Sequence, residues 1–404
     1  MSPNLLVINQ HGDNRGDEAA LRGMVTALRK RLPSSSICVL HQFASESSAV
    51  DLHDVTYLPL RLPPTEALRL LTWAISRRIG VRNSWPLGVT GRRIVDCYER
   101  ADLVLSAPGG PYFGDLYARH EIIHWFYAWI ATLFRKPLFL YQPSAGPFRH
   151  RVLNVVRRRG LRWFSELVVR EDLSAKYVEG LIGERPHVGA DSAMHEKFEA
   201  IDPSQFLTQI TAGTDAGALV TGTFRDPGQR HRAAHDAAVV DALVRVCDTG
   251  RSVLLLPQLH GQRHADAPYL EQLAARSRAR GAMVSVAPAT LTSNEQRGLV
   301  AASDFVLAGR YHPLVFALSA GLPALVVPYE HKARGVAIAA GLAQYIVEIE
   351  DLHRGVLVDR LDDLIGDLDD VRAVLRQTTR DLVDAAESTA DRVVELLASR
   401  NAGD

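Results

Sequence analysis

The feature that most constrains this chain is a rhythm. From end to end, short β-branched or apolar runs alternate with longer stretches of helical spacing. A run that is apolar at every position has no polar face to offer to water, so it predicts a strand covered on both sides. Strands of that kind, joined by helices, build parallel sheets through crossover connections. Strands are predicted at 5–10, 37–42, 102–107, 137–142 and 166–171, with helices near 17–32, 64–79, 117–135, 149–164 and 172–182. The second half repeats the pattern. Its strands fall at 218–224, 252–258, 283–287, 304–309 and 324–329, and its helices near 229–249, 267–280, 293–302, 312–320 and 331–341.

With 404 residues the chain exceeds one ordinary core. The polar stretch 192–217 interrupts the alternation. The expected division is a Rossmann-like domain over 1–192 and a linker region over 193–216. A second Rossmann-like domain covers 217–369. A closing segment, 370–404, is expected as an amphipathic helix that crosses the domains, with Leu375, Leu382, Val383, Val393 and Leu397 on one side. The fold class is therefore α/β, with two doubly wound domains. Their strand-end loops concentrate Gly, Arg, His, Asp and Lys, so two carboxyl edges facing each other would make one polar cleft.

Composition excludes several functions. Lys+Arg and Asp+Glu both number 46, so the chain has no net charge to draw it to nucleic acid generally. Cys38, Cys97 and Cys247 are scattered and form neither a disulfide framework nor a CxxC site, which fits a reducing cytoplasm. The first residues lack the basic start and long apolar run of a secretory leader. The longest apolar stretch, "IIHWFYAWIATLF" (122–134), is too short to span a bilayer and reads as a core helix.

In open α/β sheets, ligands bind outside the carboxyl ends of the strands. After the first strand comes "HGDNRGDEAA", with Asn14 and Asp17. After the third comes "PGGPYFGD", with Gly109, Gly110 and Asp115. In the second half the strand ends carry Arg225, His260, the pair Arg310 and His312, and then Tyr329, Glu330 and Lys332. The seam "GRYHP" (309–313) is the most loaded of these. Gly309 permits a tight turn, and Pro313 suits a first helical position. The start of an apolar helix offers free N–H groups to an anion. Arg310 adds a planar fork and His312 a group that titrates near neutrality. The simpler reading is a buried histidine and an arginine paired to structural carboxylates. Asp17 likewise reads either as a functional carboxylate or as a helix cap.

The motifs taken in order resemble the polysaccharide pyruvyl transferase family. "GRYHPLVFALSAGLPALVVPYEHKARG" (309–335) is similar to its G-x-R-x-H, apolar helix, G-x-P, strand and Y-x-x-K-x-x-G signature. "NRGDEAAL" (14–21), "PGGPYFGD" (108–115), "SAGPF" (144–148), "VREDLSAKYV" (169–178) and "VGADSA" (188–193) resemble its earlier elements. Pro111 departs from the G-G-G loop and removes a backbone donor there.

The resemblance implies the two-domain glycosyltransferase-B architecture, phosphoenolpyruvate as donor and co-substrate, and a sugar diol as acceptor. The product would be a cyclic pyruvate ketal, with phosphate released and neither metal nor cofactor required. On that reading Arg310, Arg225 and Lys332 hold the donor and His312 protonates its vinyl carbon, while Asp115 or Asp17 accepts a hydroxyl proton. Asn14, Gly109, Gly110, Tyr329, Glu330 and His260 line the site. The alternative is a nucleotide-sugar glycosyltransferase of the same architecture, with Glu330 on a ribose and His312 and Arg310 on a diphosphate.

Three histidine pairs spaced four apart, His120/His124, His231/His235 and His260/His264, lack the third ligand of a zinc site. Two basic segments with tryptophan, 66–85 and 149–164, read first as solvated helix faces over a core. Their sharper reading is peripheral contact with the inner face of a membrane, reaching a lipid-linked acceptor.

Overall fold

The structure is a computed structural model. It describes residues 2–42, 52, 54–81, 85–115, 118–195, 200–207, 218–229, 231–261, 265–329, 331–352 and 355–401. The chain divides into two compact units. One comprises Met1–Gly12, Ala20–His195 and Asp384–Asp404, and the other Asp13–Ala19 and Glu196–Val383.

In the first unit the strands are β1 (Asn4–His11), β2 (Ser36–Gln42), β3 (Val55–Pro59), β4 (Leu103–Ser106), β5 (Gly109–Phe113), β6 (Leu138–Tyr141), β7 (Pro143–Ala145), β8 (Glu166–Val169) and β9 (His187–Val188). Seven of them form a sheet in the order β3-β2-β1-β4-β6-β8-β9, and β5 pairs with β7 apart from it. The helices are α1 (Arg15–Arg31), whose first residues up to Ala19 belong to the second unit, and α2 (Pro64–Ile79), α3 (Val89–Arg100), α4 (Ala118–Leu133), α5 (Arg151–Leu161) and α6 (Asp172–Ile182). All pairings are parallel.

The second unit has α7 (Ser204–Leu207), β10 (Ala218–Thr223), α8 (Arg232–Asp248), β11 (Arg251–Leu255), α9 (Ala267–Arg278), β12 (Val284–Val286), α10 (Ser293–Ala301), β13 (Val306–Ala308), α11 (Tyr311–Ser319), β14 (Ala324–Val326), α12 (His331–Ala339) and α13 (Val356–Gly366). Its five-stranded sheet, β12-β11-β10-β13-β14, is also wholly parallel. Both sheets are doubly wound and Rossmann-like, as the strand–helix alternation predicts. The last helix, α14 (Leu368–Asn401), gives residues up to Val383 to the second unit and the remainder to the first.

All ten predicted strands form. The additional β3, β5, β7 and β9 are short or sit in stretches of Gly, Pro and polar residues that read as loop. The helices α3 and α13 also escaped the sequence reading. Two of the cysteines are not scattered: Cys38 on β2 and Cys97 on α3 bring their sulfurs to 3.0 Å, both as free thiols.

The first unit's core holds a charged cluster as well as an apolar one. Arg157 of α5 is almost fully buried. It donates to Glu121 at 2.7 Å, to Asp115 at 2.7 Å and to Asn154 Oδ1 at 3.1 Å. Removing one partner of a buried pair leaves the other charge uncompensated. Arg157→Ala should therefore lower unfolding stability by about 3–5 kcal/mol, read as a fall in the urea midpoint. An unchanged midpoint would show that the guanidinium does not hold α5.

Candidate active site

The carboxyl edge of the five-stranded sheet gathers most of the predicted site. β13 passes through Gly309 into Arg310, which occupies the N-cap of α11 with extended backbone, φ −134° and ψ 156°. Pro313 is thus the third helical residue and not the first. The position still suits it, because none of the first four helical N–H groups has an intrahelical acceptor. Gly309 is required by close approach and not by turn geometry. A Cβ there would fall 2.5 Å from the Thr223 carbonyl oxygen, which already accepts the Gly309 N–H at 2.7 Å.

Arg310 forms an ion pair with Asp266. The other oxygen of Asp266 accepts the Gln258 and Leu259 amides at 3.1 and 2.9 Å, which ties the loop after β11 to the start of α11. Among the described residues, Arg310 Nε and Thr223 Oγ1 are buried without hydrogen-bond partners. Polar atoms so placed at a strand end suit an anionic ligand.

His312 lies buried, its ring 5.0 Å from that of Tyr311 and 6.5 Å from that of Phe316. Its third neighbour comes from the far end of the chain. A Cβ on Gly16 would stand 1.7 Å from His312 Nδ1, so the imidazole packs directly on the first turn of α1. The segments "NRGD" and "GRYH" therefore meet. Asn14, not Asp17, caps α1. Its Oδ1 accepts the Gly16 amide at 2.9 Å, while its Nδ2 donates to Asp17 Oδ2 at 3.1 Å. Asp17 is inside the first turn and buried.

Around this pairing runs a polar network. Arg15 donates to Glu18 at 2.7 Å and to the Ala289 carbonyl at 3.0 Å, and Glu18 accepts both the amide and the hydroxyl of Ser293 at 3.1 Å. His260 donates its amide to the Asp13 carbonyl at 3.1 Å. Burial first, and then the Arg15 charge, lower the His260 pKa. At the other strand ends, the Arg225 guanidinium lies over the Tyr329 ring at 4.5 Å. Lys332, buried, has its Nζ 5.3 Å from the Tyr311 ring centre. Glu330 lies outside the described residues.

Residues 14–331 match the sequence profile of the polysaccharide pyruvyl transferase family. The chain belongs to that family. It is a transferase with the family's link to polysaccharide pyruvylation. The amylovoran biosynthesis protein AmsJ of Erwinia amylovora is 23% identical over 419 residues, covering 96% of this chain and 98% of that one. Solved structures share the fold. A glycosyltransferase from Rickettsia africae superposes with a TM-score of 0.60 at 10% identity, over 98% of both chains. MnaA of S. aureus, in a co-structure with UDP, gives 0.58 at 13% over 97% and 95%. The trehalose 6-phosphate synthase of Burkholderia multivorans gives 0.53 at 13% over the whole of both. The transferase thus has the glycosyltransferase-B type of fold, built on two Rossmann-like domains.

The remaining candidates of the transferase lie in the first unit. Gly109 has φ +130°, a backbone region that favours glycine, whereas a Cβ at Gly110 would meet nothing within 4 Å. Pro111 pairs with Ser144 in the β5–β7 ladder. Asp115 is engaged at both oxygens, by Arg157 and by the Arg149 amide at 2.5 Å. Burial alone would raise its pKa, but these two donors outweigh that and hold it below the usual carboxylate range. Arg170 donates to Asp191 at 2.6 Å, to Ser144 at 2.8 Å and to Glu171 at 3.3 Å.

Of the histidine pairs, His124 turns to His11, with one imidazole donating to the other across 2.8 Å between Nε2 atoms. Burial, followed by the charges of His120 and Arg61, pushes His11 down to about 3. His235 Nδ1 sits 3.0 Å from the Tyr269 hydroxyl, and His264 lies outside the described residues. Among the described residues, no group of three or more His, Cys, Asp or Glu is placed to hold a metal ion, and no helix is long and apolar enough to cross a membrane.

Sequence reasoning missed Asp266 and His11, and placed Glu18 only at the opening of the helix after the first strand. Asp266 carries no motif and lies 44 positions before its partner Arg310. Glu18 had a faint signal, as the residue after the Asp of "NRGD".

Proposed function

We propose that the chain moves pyruvate from phosphoenolpyruvate onto two hydroxyls of a saccharide, lipid-linked or free, forming a cyclic ketal and releasing phosphate. The observation that carries this reading is the meeting of "NRGD" and "GRYH" at the edge of the five-stranded sheet, where His312 packs on Gly16. The start of α11, Thr223 Oγ1 and the Nε of Arg310 suit the donor's anionic groups. Arg225 and Lys332 come to the same edge from two further strand ends.

His312 gives a proton to the vinyl carbon, which becomes a methyl group and leaves positive charge on the neighbouring carbon. The first sugar hydroxyl bonds to that carbon and loses its proton. The carbon–oxygen bond to phosphate then breaks, the second hydroxyl takes its place, and its proton returns to His312. We assign the accepting carboxylate to Asp17, which shares the first turn of α1 with Gly16. Asp115, held at both oxygens by Arg157 and the Arg149 amide, is assigned an anchoring role.

A ligand that binds only the folded chain stabilises it, by about 2.7 kcal/mol at a hundred times its dissociation constant. Phosphoenolpyruvate should therefore raise the melting temperature by several degrees, and UDP should leave it unchanged. A rise with UDP and none with phosphoenolpyruvate would replace this reading with that of a nucleotide-sugar glycosyltransferase.

A further inference from the structure

Helix α5 is inside out. Its buried side is Asn154, Arg157, Gly160 and Leu161. Four of its five large apolar residues face solvent instead: Val152 is 83% exposed, Val155 66%, Val156 53% and Leu153 41%. A helix normally turns its valines to the core and its arginines to water. Three contacts prevent that here. Arg157 is held by Glu121 and Asp115. Asn154 Nδ2 donates to the Phe148 carbonyl at 3.0 Å. Gly160 lies against the Trp125 ring, which a Cβ would meet at 2.4 Å. The valines cannot swing inward without breaking all three.

The surroundings of those valines are basic. Arg149, Arg151, Arg158, Arg159 and Arg162 are exposed beside them. Residues 122–165 contain no aspartate or glutamate at all. At 100° per residue, Arg151, Arg158 and Arg162 form one edge of the exposed face, Val155 and Val152 its middle, and Val156 the far side. The basic edge borders a shallow cavity of about 340 Å³ lined by Arg149, Arg158, Lys176 and Tyr177, among others. Lys176 also pairs with Asp172 at 2.8 Å.

We infer that this face of α5 docks the protein on an anionic lipid bilayer. The valines enter the interfacial layer, and the arginines and the basic cavity take lipid phosphates. A second copy of the chain fits this face poorly, because five exposed guanidiniums would meet five more. The inference does not depend on which donor the transferase uses.

The test is co-sedimentation of the full chain with vesicles, at low salt, of phosphatidylcholine alone or mixed with phosphatidylglycerol. Binding to the mixed vesicles only, falling as salt rises, is expected. Because Val155 and Val156 are exposed, Val155→Glu with Val156→Glu should keep the melting temperature and lose binding. Arg159→Gln with Arg162→Gln should weaken it about 25-fold, at about fivefold for each basic residue. No sedimentation of the wild-type chain with anionic vesicles would overturn the inference. So would a glutamate pair that binds normally, or a wild-type dimer in sedimentation velocity that the glutamate pair dissolves.

Discussion

His312→Gln should lower the turnover number by roughly 10²–10⁴ while leaving the melting temperature within a few degrees of the wild type. Glutamine keeps a polar side chain of similar reach but has no titrating proton to give to a vinyl carbon. The split between kcat and KM decides the residue's role. An acid acts in the transition state, so its loss lowers kcat and leaves the KM for phosphoenolpyruvate nearly unchanged. A phosphate-binding imidazole acts equally on bound substrate, and its loss raises KM. Phosphate release, followed over a range of donor concentrations, separates the two. Near-normal turnover in a folded variant would remove His312 from the chemistry.

Gly16→Ala is expected to be nearly as damaging, although it adds one methyl group. That methyl would lie 1.7 Å from His312 Nδ1 and 1.9 Å from its Cγ. The ring cannot tolerate such contact, so either it moves or the first turn of α1 does. Overpacking of this kind costs about 1–3 kcal/mol of stability. A displacement of about 1 Å at a reacting group costs about 10²-fold in rate. The variant should thus lose turnover out of proportion to its modest fall in melting temperature. Gly110→Ala is the internal comparison, since a Cβ there meets nothing within 4 Å and its melting temperature should not move. A Gly16→Ala enzyme with wild-type turnover would mean that the packing of imidazole on glycine is not part of the active arrangement.

Much of this was legible in the residues. The ten strands were readable because each is built on a short apolar or β-branched run, and helix ends at 64, 79, 172 and 182 fell where the pattern placed them. The candidate site was legible as a set of strand-end residues and as ordered motifs. The partners were not. Asp266 binds Arg310 from another loop, and no local spacing announces that pair. Asp17 read either as a functional carboxylate or as a helix cap, because aspartate at a helix start commonly is one. The cap fell to Asn14, whose side chain reaches the Gly16 amide.

Helix α5 shows the limit most plainly. Its pattern of valines and arginines predicts a solvated basic face over an apolar one, and the structure buries the arginine at 157 and exposes the valines at 152, 155 and 156. Periodicity reports which residues share a face. It cannot report that Glu121 and Asp115 wait beneath that face, since those carboxylates come from other segments.

The sequence by itself determined the α/β class, the two-domain scale, the family and the strand ends that carry the candidate site residues. These follow from local hydrophobic period and from short motifs, which are properties of neighbouring residues. Only the tertiary structure decided that Gly16 receives His312, that Asp266 holds Arg310, and which side of α5 meets water. Each of those is a contact between segments distant along the chain, chosen by burial and by charge pairing once the strands and helices have come together.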